Sequence, residues 1–150
     1  MVRRDARTTS GNGHGCGSLE DRIVISELIS MHGHLCGEGE LDRLDELFTD
    51  DVVYDVTDFG QEPLTGVEAI RAAALTLGDA NPVGHHVTNI VLTEGGDGRV
   101  HARSKGIGIN RNGTSGSVTY EDIIVLTEQG WRISYRKVVA RRVPLGGRTK

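Results

Sequence analysis

Three short stretches carry residue types suited to chemistry: VGHHVTNIVL at 83–92, HGHLC at 32–36 and VTYEDI at 118–123. Histidine titrates near neutrality and serves as proton acceptor, proton donor or metal ligand, so the first question is where each ring points. The 83–92 stretch reads as a strand. Alternation then sends His85, Val87 and Asn89 to one face and His86, Thr88 and Ile90 to the other. At most one histidine of the pair faces a given pocket, and His86 is expected at the surface or at a subunit contact. Tyr120, Asp122 and Ile124 share one strand face, which places a phenol and a carboxylate on the same wall. On a helix, His32 and His34 lie about 160° apart, with His32 bordering the apolar stripe and His34 outward.

Other chemistries fit less well. HGC at 14–16 and HGHLC at 32–36 offer zinc-type ligands, but His32 and His34 face apart and His32 with Cys36 forms only an i, i+4 pair, so no metal site is expected. Gly95, Gly96 and Gly98 belong to a turn and open no helix, which leaves no phosphate-cradling loop. Neither a G-x-S-x-G elbow nor a plausible cysteine nucleophile occurs. These exclusions leave the histidines, Asp122 and the tyrosines as the candidate polar groups.

The elements that must position these groups can be read from pattern and punctuation. Ser18-Leu-Glu-Asp21 resembles a capping box, and apolar residues follow at helical spacing (Val24, Leu28, Met31, Leu35) beside a second stripe of Ile25, Ile29, His32 and Cys36. A first helix is therefore predicted over 19–36. Gly37 and Gly39 stop it. A short helix follows with Leu41, Leu44, Leu47 and Phe48 on one side, then a strand in DDVVYDVTDF. Thr65-Gly-Val-Glu68 is an S/T-x-x-E capping box before VEAIRAAALTLG, the third helix, with Gly78 as its stop. Strands are expected at 85–93, 99–110, 117–127 and 131–140, separated by the turn sequences EGGDG, NRNG and EQG. Helix, helix, strand, helix and a four-strand meander predict an α+β domain with helices on one curved antiparallel sheet. Glycines at 106, 108, 113 and 116 suggest bends that curl the sheet around a cavity.

The bulk properties agree with one globular domain. The chain has 150 residues, 37 % hydrophobic and 25 % charged, and a net charge of −4. That length buries a core without staples, and that charge argues against a nucleic-acid partner. RKVVARR is the one concentrated basic run and reads as a solvated edge. No apolar run is long enough to span a bilayer, and no signal peptide is read at the start, so the expectation is a cytoplasmic protein without membrane contact. Residues 1–18 are Gly-, Ser- and Arg-rich and are expected to form a disordered tail. The domain should occupy 19–142, with a flexible tail at 143–150. Cys16 and Cys36 are expected to be reduced thiols.

The segment LEDRIVISELISMHGHLCGEGELDRLDELFTDDVVYD, followed by LTGVEAIRAA, GHHVTNIVL and VTYEDIIVLTEQGWRISYRKV, resembles SnoaL-like proteins of the nuclear-transport-factor-2-like superfamily over about residues 19–142. The resemblance implies a cone-shaped α+β barrel with a strongly bent sheet, three helices and a deep pocket, commonly as a homodimer. It also implies a group of polyketide cyclases, scytalone dehydratases, ketosteroid isomerases, epoxide hydrolases and dehydratases, alongside non-catalytic binders. Fold alone does not choose among them.

Carried over residue by residue, the family's pocket histidine falls on His85 and the aspartate of its Y-x-D strand on Asp122. The implied arrangement has His85 as general base toward a carbon next to a carbonyl, a hydroxyl or water, with Asp122 orienting it. His32 would return a proton or hydrogen-bond an enolate oxygen, Tyr54 or Tyr120 would polarise a carbonyl, and Asn89 would orient the small-molecule substrate. Arg136 would hold a carboxylate, with a structural role first; Asp122 paired to Arg136 or Arg103 as a plain ion pair is the alternative. Tyr54, Tyr120 and Tyr135 also read as core aromatics with a wet hydroxyl, and Trp131 as packing. Where many members carry Tyr and then Asp on the first helix, this chain has His32 and Gly37, a departure that favours a non-catalytic binding or dimerisation module. Epoxide opening would need further pocket carboxylates, for which Asp55 and Asp58 are the nearby candidates.

Overall fold

Ser18 accepts a hydrogen bond from the Asp21 amide at 3.0 Å and starts helix α1 (Leu19–Gly37), as its capping signal predicts. The computed structural model describes residues 17–148. The expected 1–18 tail therefore falls almost wholly outside the described residues, as does Cys16. The buried face of α1 is Ile25, Ile29, His32 and Leu35. That face is centred on the second predicted stripe, since Val24 is exposed and Leu28 and Met31 are only partly covered. The expected short helix is a 3-10 segment at Leu41–Glu46 that delivers Leu44, Leu47 and Phe48 into the core.

The strands are β1 (Phe48–Asp55), β2 (Leu64–Thr65), β3 (Gly84–Glu94), β4 (Val100–Ile109), β5 (Ser115–Thr127) and β6 (Gly130–Ala140). They form one sheet in the order β2-β1-β6-β5-β4-β3. The four-strand meander is as predicted. The sequence reading missed the two-residue β2 and the parallel pairing of β1 with β6, which leaves the sheet mostly antiparallel. The sheet does not close, because β2 and β3 are its two edges.

Helix α2 (Val67–Leu77) follows β2, and here the capping expectation fails. Thr65 pairs with Val53 in β2 and caps nothing; Gly66, at φ 88°, is the N-cap residue and donates its amide to the Val52 carbonyl at 2.7 Å. Strand pairing has taken the threonine that the helix would have used. The left-handed turn that follows suits glycine.

A second departure matters more for the site. The β3–β4 register shifts between Thr88 and Val91, so Asn89 and Ile90 together oppose Ser104, with Asn89 at φ 56°. This is a β-bulge, and asparagine tolerates the left-handed conformation it requires. Alternation holds through Val87 and then slips by one, so Ile90 and Leu92 face the core while Asn89 is exposed.

The apolar core lies between α1 and the middle of the sheet, built on Ile25, Ile29, Phe48, Val52, Ile124 and Ile133. Trp131 is buried as expected and donates its indole N–H to Asp21 at 3.2 Å, tying β6 to the first turn of α1. The other end of α1 lies against β3, where a Cβ on Gly33 would stand 2.6 Å from the His85 carbonyl oxygen. Only glycine permits that approach.

Candidate functional site

Beyond the apolar core, α1, α2 and the sheet part around a cavity of about 960 Å³. Its floor carries His32 from α1, Tyr54 from β1, His85 from β3 and Tyr120 from β5, and its roof is the Ile70, Ala73 and Leu77 side of α2. Glu38, Gln61, Thr76 and Asn81 also border the chamber, whose lining is otherwise mostly apolar, as is usual for a small-molecule site.

His32 is at the centre of an aromatic cluster. Its ring stands edge-on to His85, Tyr120 and Phe48 at centroid separations of 6.0, 5.7 and 6.5 Å. It is buried, and Nδ1 has no hydrogen-bond partner among the described residues. Burial, then the Arg136 charge, then His85 hold its pKa well below the usual value, so the ring is neutral at neutral pH. His85 is half-buried with Nδ1 likewise unpartnered, and burial followed by the neighbouring His86 lowers its pKa from 6.5. His86 and His34 are exposed, as predicted. Burial raises the pKa of Tyr54 and Tyr120, keeping both phenols protonated as donors. Cys36, four residues beyond His32, borders the same cavity, with its thiol pushed up to about 11 by burial. A thiol held protonated in this way is a poor nucleophile.

Asp122 does not meet His85. Both its oxygens accept from Arg136, Nε to Oδ1 at 2.7 Å and Nη2 to Oδ2 at 2.8 Å, with both side chains fully buried. The register explains the choice, since Asp122 and Arg136 are direct cross-strand partners on β5 and β6. The ion-pair alternative read from the sequence is the one formed, with Arg136 and not Arg103. Burial works against the Arg136 charge, but Asp122 more than offsets this and holds its pKa above the ordinary value. The guanidinium carbon lies 4.3 Å from the Tyr120 ring centre, so the ion pair supports that ring from behind. Arg136 Nη1 keeps no partner among the described residues.

Of the other expected site residues, Asn89 is exposed at the bulge and borders none of the chamber. Asp55 accepts from the Tyr135 hydroxyl at 2.9 Å and from Thr57, and Asp58 accepts from the Ala140 amide and Arg142. Neither borders the chamber; the carboxylate that does is Glu38, at the C-terminal end of α1. The sequence reading missed the roof. Its signal was present in the closely spaced small residues of VEAIRAAAL, which leave room beside a helix that would otherwise pack flush.

This constellation on this fold matches a known class. The SnoaL-like domain family matches residues 17–137, and the chain belongs to it. An NTF2-like protein with a cystatin-like fold from Novosphingobium aromaticivorans is 28 % identical with a TM-score of 0.67, over 81 % of this chain and 82 % of that one. A protein of the same organism provisionally named an aromatic ring hydroxylase is 25 % identical with a TM-score of 0.63, over 84 % and 92 %. Another, provisionally named a scytalone dehydratase, shares the fold at 19 % identity and a TM-score of 0.68, over 83 % and 86 %. No curated protein matches the chain.

Proposed function

We propose that this protein is a cofactor-free acid–base enzyme that acts on an apolar, carbonyl-bearing small molecule of polyketide or terpenoid type, by isomerisation, cyclisation or dehydration. The observation that carries the reading is the pair of imidazoles, His32 and His85, whose ring centres lie 6.0 Å apart where both border a chamber of about 960 Å³. His85 is the base. Its lowered pKa keeps it unprotonated at neutral pH, ready to take a proton from the carbon next to the substrate carbonyl. The charge that then develops on the carbonyl oxygen is met by the phenol of Tyr120 or Tyr54 and by His32 as a neutral donor. The His85 imidazolium returns the proton to a second carbon, giving an isomer, or to a departing hydroxyl, giving water and an alkene. Asp122 and Arg136 act as positioning residues by holding Tyr120.

The test is proton abstraction itself. With 2-tetralone in D₂O, the protein should accelerate exchange of the α-hydrogens above the buffer rate, read by proton NMR, and His85→Ala should abolish the acceleration with melting unchanged. Wild-type exchange no faster than buffer sinks the reading. A second reading, a non-catalytic binder using the same chamber, is favoured by one observation: the carboxylate that would orient His85 is bound to Arg136. On that reading 2-tetralone binds without exchanging.

The proposal includes a homodimer, supported by the exposed apolar side chains Val91, Ile107 and Ile109 on the outer face of β3 and β4. Sedimentation at micromolar concentration distinguishes one copy from two.

A further inference from the structure

Pro82, His85 and Tyr120 border the large chamber on one side and a smaller hollow of about 220 Å³ on the other. The floor of the hollow is made by an unusual row. His85 pairs across the sheet with Gly108, which pairs with Gly116; the next row is Val87, Gly106 and Val118. On the inner face beside His85 the sheet therefore carries almost no side chains.

None of these three glycines has a positive φ, so backbone conformation does not demand them. At Gly106 the reason is contact, because a Cβ there would lie 2.5 Å from the Tyr120 ring. At Gly116 a Cβ would meet nothing within 4 Å. At Gly108 it would stand 3.2 Å from Pro82, so of the three only Gly116 faces open space. Strands are weakened by glycine, and its use there leaves room for something else in the row that carries the proposed base. The walls are Val87, Val118 and Pro82, the polar groups are His85, His86 and Asn110, and among the described residues no carboxylate, lysine or arginine borders the hollow. Peptide planes make a flat floor, and the absence of charge selects an uncharged occupant.

We infer that the hollow is a second compartment of the ligand site, and that it seats a flat, uncharged ring of the ligand while the ligand's polar function sits at His85 and Tyr120. This deepens the small-molecule reading above and rests on it. The reacting carbon would then lie where the two compartments meet, with the bulk of the molecule divided between them. Gly116 and Val118 become the residues that set which rings are accepted.

The test uses ¹⁵N-labelled protein and 2-naphthol, a flat two-ring phenol. Titration should shift the amides of Gly106, Gly108 and Gly116 together with those of Ala74 and Leu77 in the large chamber. Gly116→Val, which points two methyl groups into open space, should weaken 2-naphthol binding roughly tenfold without lowering the melting temperature. Val118→Ala should act oppositely and improve the affinity for 2-anthrol relative to 2-naphthol. Shifts confined to Ala74 and Leu77, no binding at all, or unchanged affinity in Gly116→Val each overturn the inference. Glycine shifts that persist while 2-tetralone fails to exchange would instead sink the acid–base reading and leave the second compartment standing.

Discussion

Two polar clusters lie on either side of the Tyr120 ring, and they are built on different terms. Asp122 and Arg136 satisfy each other through two short hydrogen bonds. His32 and His85 each keep a buried ring nitrogen without a partner among the described residues. A buried polar group left unpaired costs about 1–3 kcal/mol, and such groups are rare enough in native proteins to ask for a reason. The contrast is one of degree: Arg136 Nη1 also lacks a partner among the described residues, but the Asp122 carboxylate is matched at both oxygens while each imidazole keeps an unmatched nitrogen. The charged pair, conspicuous in the sequence as an acid near an arginine, belongs to the scaffold. The neutral pair faces the chamber.

Four experiments press on that contrast. The largest effect is expected from His85→Ala, which should lower α-hydrogen exchange by about 10²–10⁴-fold while leaving urea stability nearly unchanged. A fall in stability without loss of exchange would invert the assignment. Asp122→Asn should act chiefly on stability. It strands the Arg136 charge in the interior and should lose about 3–5 kcal/mol in urea denaturation. Retained stability would show that the ion pair is dispensable to the scaffold.

The third experiment is a pH series. Because the His85 pKa is lowered, kcat/KM should hold down to a midpoint below 6.5 and fall only as acid protonates the base. His32 acts on stability with the same sign. Its folded pKa lies below the unfolded value of 6.5, so the unfolded chain takes up the proton first. The stability this contributes is full above about pH 6.5 and falls by up to about 1.4 kcal/mol per pH unit below it. In His32→Phe that slope should shrink by about one proton's worth; an unchanged slope would place the titration elsewhere. The smallest effect is expected at Ser104, whose buried hydroxyl has no partner among the described residues. Ser104→Ala should be neutral or stabilising by up to about 1 kcal/mol, and a loss larger than that would mean the hydroxyl has a partner.

Much of the fold was legible because local rules and tertiary structure agree. Turn sequences separate β3 to β6 where punctuation places them, and Ser18 caps α1 as its type suggests. The failures share a cause. Thr65 looked like a helix cap until β1 claimed it, and Asn89 looked like a pocket residue until a bulge turned it outward. In each case a pairing between distant segments overrode a pattern read over a few residues. The same holds for Asp122: its inward face was readable, but its partner was fixed by register with β6, which alternation within one strand does not contain. His32 and His85 border the chamber because position along a helix and a strand was enough to aim them.

The bulge in β3 has one more consequence. Asn89 behaves like a dislocation in a crystal: one extra unit inserted in a row, with correct order on both sides. Deleting it would restore an unbroken two-residue period in which Val87, Ile90 and Leu92 all still point inward, so the core would keep its members. The bend that the insertion produces would go with it, and that bend carries the His85 end of the strand around the chamber. The outline of the binding site is in this sense stored as a count, one residue more in β3 than the opposing strand requires.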